Sequence, residues 1–416
     1  MSTTGVGVTA QQPFPRALRA FLGLKFFAYV QSSFAQVLIN IYVYRLTHDL
    51  GVLVAFNVAF DIAHTIVYLA VSRLSKEYDR LLPLRLGVVC QLVYLATILY
   101  LGSSVSHFVL LLGILGGAAD GAYWQSDNLL KLDLTTPANR LRFTTAFGMV
   151  KSSVGTLVPP IAALLVVLAP GTAAVSGAYA PVFLAAMAGA AGVLAMSFFL
   201  PPDRTHRSVR QYKFWPVARS LWKDRNVRLA CYSTFLSEVP DVLPMLLGVY
   251  LYLRAGTELA IGGYQVLTIA LVLASNHLLG RYVRTAHYKP ILIAGGVAQC
   301  VVVLILLLDH QYAAVFIYGV LSSLLSVTDA PAGTLRQNAL TFHTSDPSVL
   351  ASVRVEFLTL KEIFDCLGKN AGYVLLLIVG FSGNAGQVAA IVLGCAIAAL
   401  IGNVAVARVA DLRQPK

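Results

Sequence analysis

The sequence predicts an all-α polytopic membrane protein, with about twelve transmembrane helices arranged as two pseudo-symmetric six-helix bundles. Composition, apolar runs of bilayer length and a one-sided distribution of basic residues predict it. Apolar residues make up 57% of the 416 and charged residues 12%, and mean hydropathy is +0.74. A soluble domain carries roughly 25% charged residues, so this chain cannot clothe a water-facing surface with charge. Runs of about 20 apolar residues, the length that crosses a bilayer, recur from end to end.

Spans are expected at roughly 19–45, 50–73, 84–103, 106–131, 139–168 and 178–200, then at 227–254, 260–283, 288–308, 312–338, 349–379 and 385–408. The organisation that follows is an N-terminal tail over 1–18, an N-terminal bundle over 19–200, a basic linker over 201–226, a C-terminal bundle over 227–408 and a tail over 409–416. The first apolar run continues past Ala20 into a full span, so no cleaved secretory leader is expected.

Orientation follows from the Lys and Arg residues, of which there are 31. Arg16 and Arg19 precede the first span; Arg73, Lys76, Arg80 and Arg85 follow the second; Lys131, Arg140 and Arg142 follow the fourth. The linker is basic from Arg204 to Arg228, Arg281, Arg284 and Lys289 follow the eighth span, Arg336 and Arg354 flank the loop after the tenth, and Arg408, Arg413 and Lys416 close the chain. The opposite side has only Arg45 and Arg254. The positive-inside rule then makes both termini and the linker cytoplasmic. The net charge of +12 suits a bilayer with anionic headgroups, and no nucleic-acid partner is needed to explain it. Short loops, and a sequence without any Asn-x-Ser/Thr acceptor, point to a bacterial inner membrane. All five cysteines fall inside spans without metal-ligand spacing and read as packing residues. No metal, cofactor or catalytic cluster is expected, and the chain should act as a monomer.

The halves echo each other. Thr135-Thr136-Pro137 matches Ser345-Asp346-Pro347 at an offset of 210, which also places Phe147 on Phe357 and Lys151 on Lys361. Tyr42-Val43-Tyr44-Arg45 ends the first span and Tyr250-Leu251-Tyr252-Leu253-Arg254 the seventh; Tyr78-Asp79-Arg80 follows the second and Tyr282-Val283-Arg284 the eighth. Together these argue for a duplicated six-helix unit.

Six plus six spans joined by a basic linker resemble the major facilitator superfamily over nearly the whole chain. The family's loop after the second span reads Gly-x-x-x-Asp-Arg/Lys-x-Gly-Arg/Lys-Arg/Lys; the segment Ser72 to Arg85 keeps Asp79-Arg80 and Arg85 without the glycines. The antiporter motif Gly-x-x-x-Gly-Pro-x-x-Gly-Gly is approximated by Gly155 to Ala163, with Pro159 in place of the second Gly. The resemblance implies a secondary transporter working by alternating access, with Asp79 and Arg80 as gate residues; a lipid or amphipathic-glycolipid flippase of the same fold is the alternative. A membrane-embedded enzyme or a receptor is a further, weaker alternative, because the outer loops carry no catalytic cluster. No Gly-x-x-x-x-Gly-Lys-Ser/Thr stretch is present to drive transport with a nucleotide.

Ionisable groups at mid-span are costly and face the bundle interior, where they find partners. Lys25 stands in the first span, facing the interior or snorkelling to the cytoplasmic face; Asp61 and His64 lie one turn apart in the second, a spacing that suits a proton relay or a satisfied core pair. Asp120, Tyr123, Trp124 and Asp127 form one polar-aromatic stripe on the fourth at i, i+3, i+4 and i+7. Lys151 is expected either to neutralise Asp120 or Asp127 or to meet substrate. Glu238 and Asp241 flank Pro240, which should break the seventh span into a moving gate; Asp329 and Arg336 lie on the tenth, Arg336 at the cytoplasmic mouth as a gate residue. His277, near the end of the eighth, reads as structural. Lys361, Glu362 and Asp365, with Glu356 and Lys369, charge the eleventh. The carboxylates offer protons as the coupling ion. The two lysines at equivalent positions 151 and 361 favour a small organic substrate with an anionic or amphipathic character.

Overall fold

The structure is a computed structural model that describes residues 14–135, 137–169, 175–201, 211–243, 245–247, 258–282, 287–308, 312–341, 347–379 and 385–409. The N-terminal half consists of α1 (Arg16–Thr47), α2 (Leu50–Glu77), α3 (Leu81–Leu101), α4 (Val109–Leu134), α5 (Pro137–Leu168) and α6 (Val175–Ser197), with a 3-10 turn at Gly102–His107 joining α3 to α4. A short amphipathic helix in the linker, α7 (Phe214–Lys223), leads into α8 (Arg225–Glu238). Then come α9 (Glu258–Tyr282), α10 (Tyr288–Leu308), α11 (Tyr312–Leu325), α12 (Asp329–Thr341), α13 (Pro347–Val379) and α14 (Ala385–Ala407). Every expected span has a helical counterpart. The repeat matches at Thr136, Tyr250–Arg254, Val283-Arg284 and Ser345-Asp346 lie outside the described residues.

Two expected spans are broken. The seventh stops as an α-helix at Glu238 and passes through a 3-10 turn at Val239–Asp241, where Pro240 has no amide hydrogen to give the preceding turn. The tenth divides into α11 and α12 around a 3-10 turn at Ser326–Thr328, with Pro331 in the first turn of α12, the position where a helix tolerates it. Asp49 starts α2 cleanly: its Oδ1 accepts from the Gly51 amide at 2.7 Å.

A seam of close backbone approach fixes α2 against α4. Gly113, Gly117 and Gly121 recur every four residues and share one face of α4. A Cβ at Gly117 would stand 2.0 Å from the Phe60 carbonyl oxygen, and one at Gly121 would stand 2.1 Å from that of His64. Without an aqueous driving force between helices in lipid, such close backbone approach is how they gain contact. Around the outside, Ile66, Leu157 and Ile378 are more than half exposed, as a hydrocarbon-facing surface requires. Among the described residues six helices are long and apolar enough to cross a membrane. Across the halves, α2 packs on α13 and α5 on α9.

Candidate functional site: a charged cavity between the halves

A cavity of about 650 Å³ lies between the halves. From the N-terminal half, α2 contributes Asn57, Phe60, Asp61 and His64, and α4 contributes Asp120, Trp124 and Asn128; from the other half come Asp241 at the broken helix and Lys361, Glu362, Asp365, Lys369 and Tyr373 on α13.

His64 joins the two halves. Its Nδ1 lies 2.9 Å from Asp120 Oδ2 on α4, and its Nε2 lies 3.0 Å from Glu362 Oε1 on α13. A neutral imidazole has one N–H, so with both carboxylates ionised one contact would set a nitrogen lone pair against an oxygen lone pair. Both contacts are hydrogen bonds only when the three groups share one further proton. The Gly121 seam makes this possible by drawing the His64 backbone onto α4 beside Asp120. His64 therefore bonds Asp120 and Glu362, not Asp61, its neighbour one turn away.

The rest of the α4 stripe splits by direction. Asp120 and Trp124 face the cavity, whereas Asp127 turns to Lys25, whose Nζ lies 2.7 Å from Asp127 Oδ2. Tyr123 donates to Asp127 Oδ1 at 3.3 Å, and the Lys25 ammonium sits 4.8 Å from the Trp124 ring centroid and 4.9 Å from that of Phe147. Lys25 is only 2% exposed, a caged cation. Asp127 is thus neutralised by Lys25 and not by Lys151. Lys151 lies 5.9 Å from the Tyr29 ring centroid and within Coulombic reach of Asp329 in the other half. Its repeat mate Lys361 faces the cavity.

On the C-terminal side, Lys369 pairs with Asp365 at 2.9 Å one turn before it and stands within Coulombic reach of Asp61, Glu238 and Asp241 as well. Asp61 Oδ2 is buried with no hydrogen-bond partner among the described residues. Arg336 donates to Ser233 Oγ on α8 at 3.0 Å, within its own half.

One end of the cavity is shut, at the ends of the helices that carry the basic residues. Lys76 at the end of α2 pairs with Glu356 near the start of α13 and donates to the Ser352 carbonyl at 2.6 Å. Thr359 donates to Ser72 at 3.0 Å beside it. Arg80 pairs with Asp133 at the end of α4, and Arg354 of α13 reaches the same carboxylate at 3.5 Å. The linker joins in: the Lys213 amide donates to Glu356 Oε1 at 3.4 Å and the Tyr212 amide to Glu77 Oε1 at 3.3 Å. Asp79 takes no part in these contacts; its Oδ1 accepts from the Leu81 amide at 3.0 Å. The sequence reading placed Arg80 here but passed over Lys76 and Glu356. Acidic residues are scarce at this basic end, and that scarcity was the available signal that Glu356 and Asp133 have partners there.

The profile of the Major Facilitator Superfamily matches residues 18–344. The chain belongs to the Major Facilitator Superfamily. It is 35% identical over 156 residues to a protein of Geobacillus stearothermophilus described as uncharacterised, in the sodM 3′ region, covering 38% of this chain and 72% of that one. Its fold is similar to that of a bacterial homologue of the iron transporter ferroportin in an inward-facing state, with a TM-score of 0.65 and 15% identity over 95% of this chain and 98% of the other. The human organic anion transporter MFSD10 is similar at a TM-score of 0.65 and 16% identity, over 95% of this chain and all of that one, 100%. The protein is an integral membrane protein with the superfamily's architecture of a secondary transporter.

Proposed function

We propose that this superfamily member is a proton-coupled secondary transporter of a small organic solute, working by alternating access between its two bundles, 19–200 and 227–408. The observation that carries the reading is the bridge from Asp120 through His64 to Glu362. It spans the halves at the cavity and is complete only with an added proton. Losing that proton leaves one imidazole N–H for two carboxylates, so the bond to Glu362 across the halves then competes with the bond to Asp120 within one, which biases the equilibrium between the arrangements of the halves. A proton gradient then does work on whatever occupies the cavity. With the basic ends cytoplasmic, in a bacterial inner membrane, the arrangement described here has its cytoplasmic end shut by Lys76–Glu356 and Arg80–Asp133–Arg354.

The test is reconstitution in liposomes with an imposed pH gradient, screening pooled organic solutes for movement by wild type and His64→Gln. Wild type should move a solute in proportion to the gradient. The variant, with one ring-sized amide in place of a titrating group, should lose at least about tenfold of the gradient-driven rate while keeping solute exchange at equal pH. A variant that responds to the gradient as wild type does sinks the proposed coupling.

A further inference from the structure

We infer that the solute is an organic cation, a protonated amine whose ammonium sits among Asp61, Asp241 and Asp365 with aromatic rings around its apolar body. This rests on the transporter reading above and names the substrate class of the same cavity.

Charge decides the sign. The described lining residues include five carboxylates, Asp61, Asp120, Asp241, Glu362 and Asp365, against Lys361, Lys369 and His64. With every carboxylate counted as ionised, the lining is net negative even with a full charge on His64. Internal pairing accounts for most of the cations: His64 is engaged by Asp120 and Glu362, and Lys369 by Asp365. Asp61 and Asp241 are then left to share Lys369, which already pairs with Asp365. Low-dielectric walls focus the field of such a cavity, so it concentrates ligands of positive charge.

Geometry says where the charge goes. Lys369 is one ammonium within Coulombic reach of four carboxylates, Asp61, Glu238, Asp241 and Asp365, so this corner is already built around a cation and has acceptors to spare. Asp61 Oδ2 is buried without a donor among the described residues, and an acceptor left that way costs about 1–3 kcal/mol, more when charged. A ligand N–H would satisfy it, which favours a protonated amine over a quaternary ion. Asp241 is exposed into the same space. Phe56, Phe60, Tyr94, Trp124 and Tyr373 line the remainder, and aromatic faces attract cations and pack flat apolar groups. The anionic head that Lys151 and Lys361 favour on sequence meets this excess of carboxylates, and Lys151 is not among the described lining residues.

The experiment is equilibrium binding of radiolabelled, charge-opposed pairs to the purified, detergent-solubilised full chain, with no membrane or gradient. The first pair is 2-phenylethylammonium against 3-phenylpropionate, followed by longer aryl-alkyl pairs. Saturable binding is expected for the ammonium ions only. Asp61→Asn and Asp241→Asn should each weaken it about tenfold or more, as loss of a charged hydrogen bond does. Asp61→Glu, which keeps the charge, should retain it, and all variants are compared as monodisperse protein. Carboxylates binding as tightly as ammonium ions, no saturable binding of either, or ammonium binding untouched by Asp61→Asn would each overturn the inference. Carboxylate preference with gradient-driven movement intact in liposomes sinks this inference alone; ammonium binding without such movement sinks the transport reading alone.

Discussion

Two buried lysine–carboxylate pairs share one chemistry and have opposite places in the fold. Lys25–Asp127 joins α1 to α4 inside the N-terminal half, and each Asp127 oxygen has a donor, Lys25 on one and Tyr123 on the other. Lys76–Glu356 joins α2 to α13 across the halves. There one Glu356 oxygen is shared by Lys76 and the Lys213 amide, while Oε2 is buried with no hydrogen-bond partner among the described residues. A pair inside one half keeps its geometry through any rigid-body movement of the halves and can be fully satisfied. A pair across the seam has to break when that end opens, and a fully satisfied buried pair there would hold the end shut.

The comparison is broken most directly at the satisfied pair. Lys25→Met leaves the buried Asp127 without its cation, which should destabilise the fold by about 3–5 kcal/mol. It should be read as loss of monodisperse protein or a lowered denaturation midpoint. The double variant Lys25→Met, Asp127→Leu replaces the whole pair with apolar bulk and should recover most of that loss. A double variant as unstable as the single would mean the pair's surroundings, and not its unpaired charge, carry the effect.

Lys76→Gln should act differently. It removes one contact of a seam that opens anyway, so its main effect is on the balance between conformations, on the scale of about 1–3 kcal/mol. With the five native cysteines replaced, Thr359→Cys reports the seam, since Thr359 is fully buried against Ser72 in the shut arrangement. Labelling by a polar maleimide from the basic side should rise roughly fivefold or more when Lys76→Gln is added. Unchanged labelling, or a stability loss equal to that of Lys25→Met, would place both pairs in the same structural role.

Much of this was legible in the sequence. Span positions followed from hydropathy, and the break in the seventh span from Pro240; the tenth was expected as one helix over 312–338, and its break at Ser326–Thr328 was not foreseen. The stripe from Asp120 to Asp127 followed from helical spacing. Partner choice did not, because it depends on how neighbouring helices rotate about their axes. Spacing put His64 beside Asp61, but Gly113, Gly117 and Gly121 pull α2 onto α4 and turn His64 to Asp120 and Glu362. Lys25 could have snorkelled to the headgroups from the first span on sequence grounds; the aromatic cage that retains it comes from α1, α4 and α5 together. Lys76 and Glu356 are 280 residues apart, and no local pattern links them.

The smallest expected effect sharpens the gate itself. By resemblance to the superfamily's loop motif, Asp79 and Arg80 act together, yet here they face different partners. Arg80 goes to Asp133, a carboxylate that Arg354 also reaches from the other half, so Arg80 belongs to the seam through Asp133. Asp79 instead bonds the Leu81 amide and organises the start of α3, a local side-chain-to-backbone contact. Asp79→Ala should therefore cost about 1 kcal/mol of stability, as loss of such a helix-start acceptor does, and leave labelling of Thr359→Cys where it was. If it instead raised labelling as far as Lys76→Gln, the acid of the motif would be part of the lock. The division between residues that shape one half and residues that join the two would then have to be redrawn at this loop.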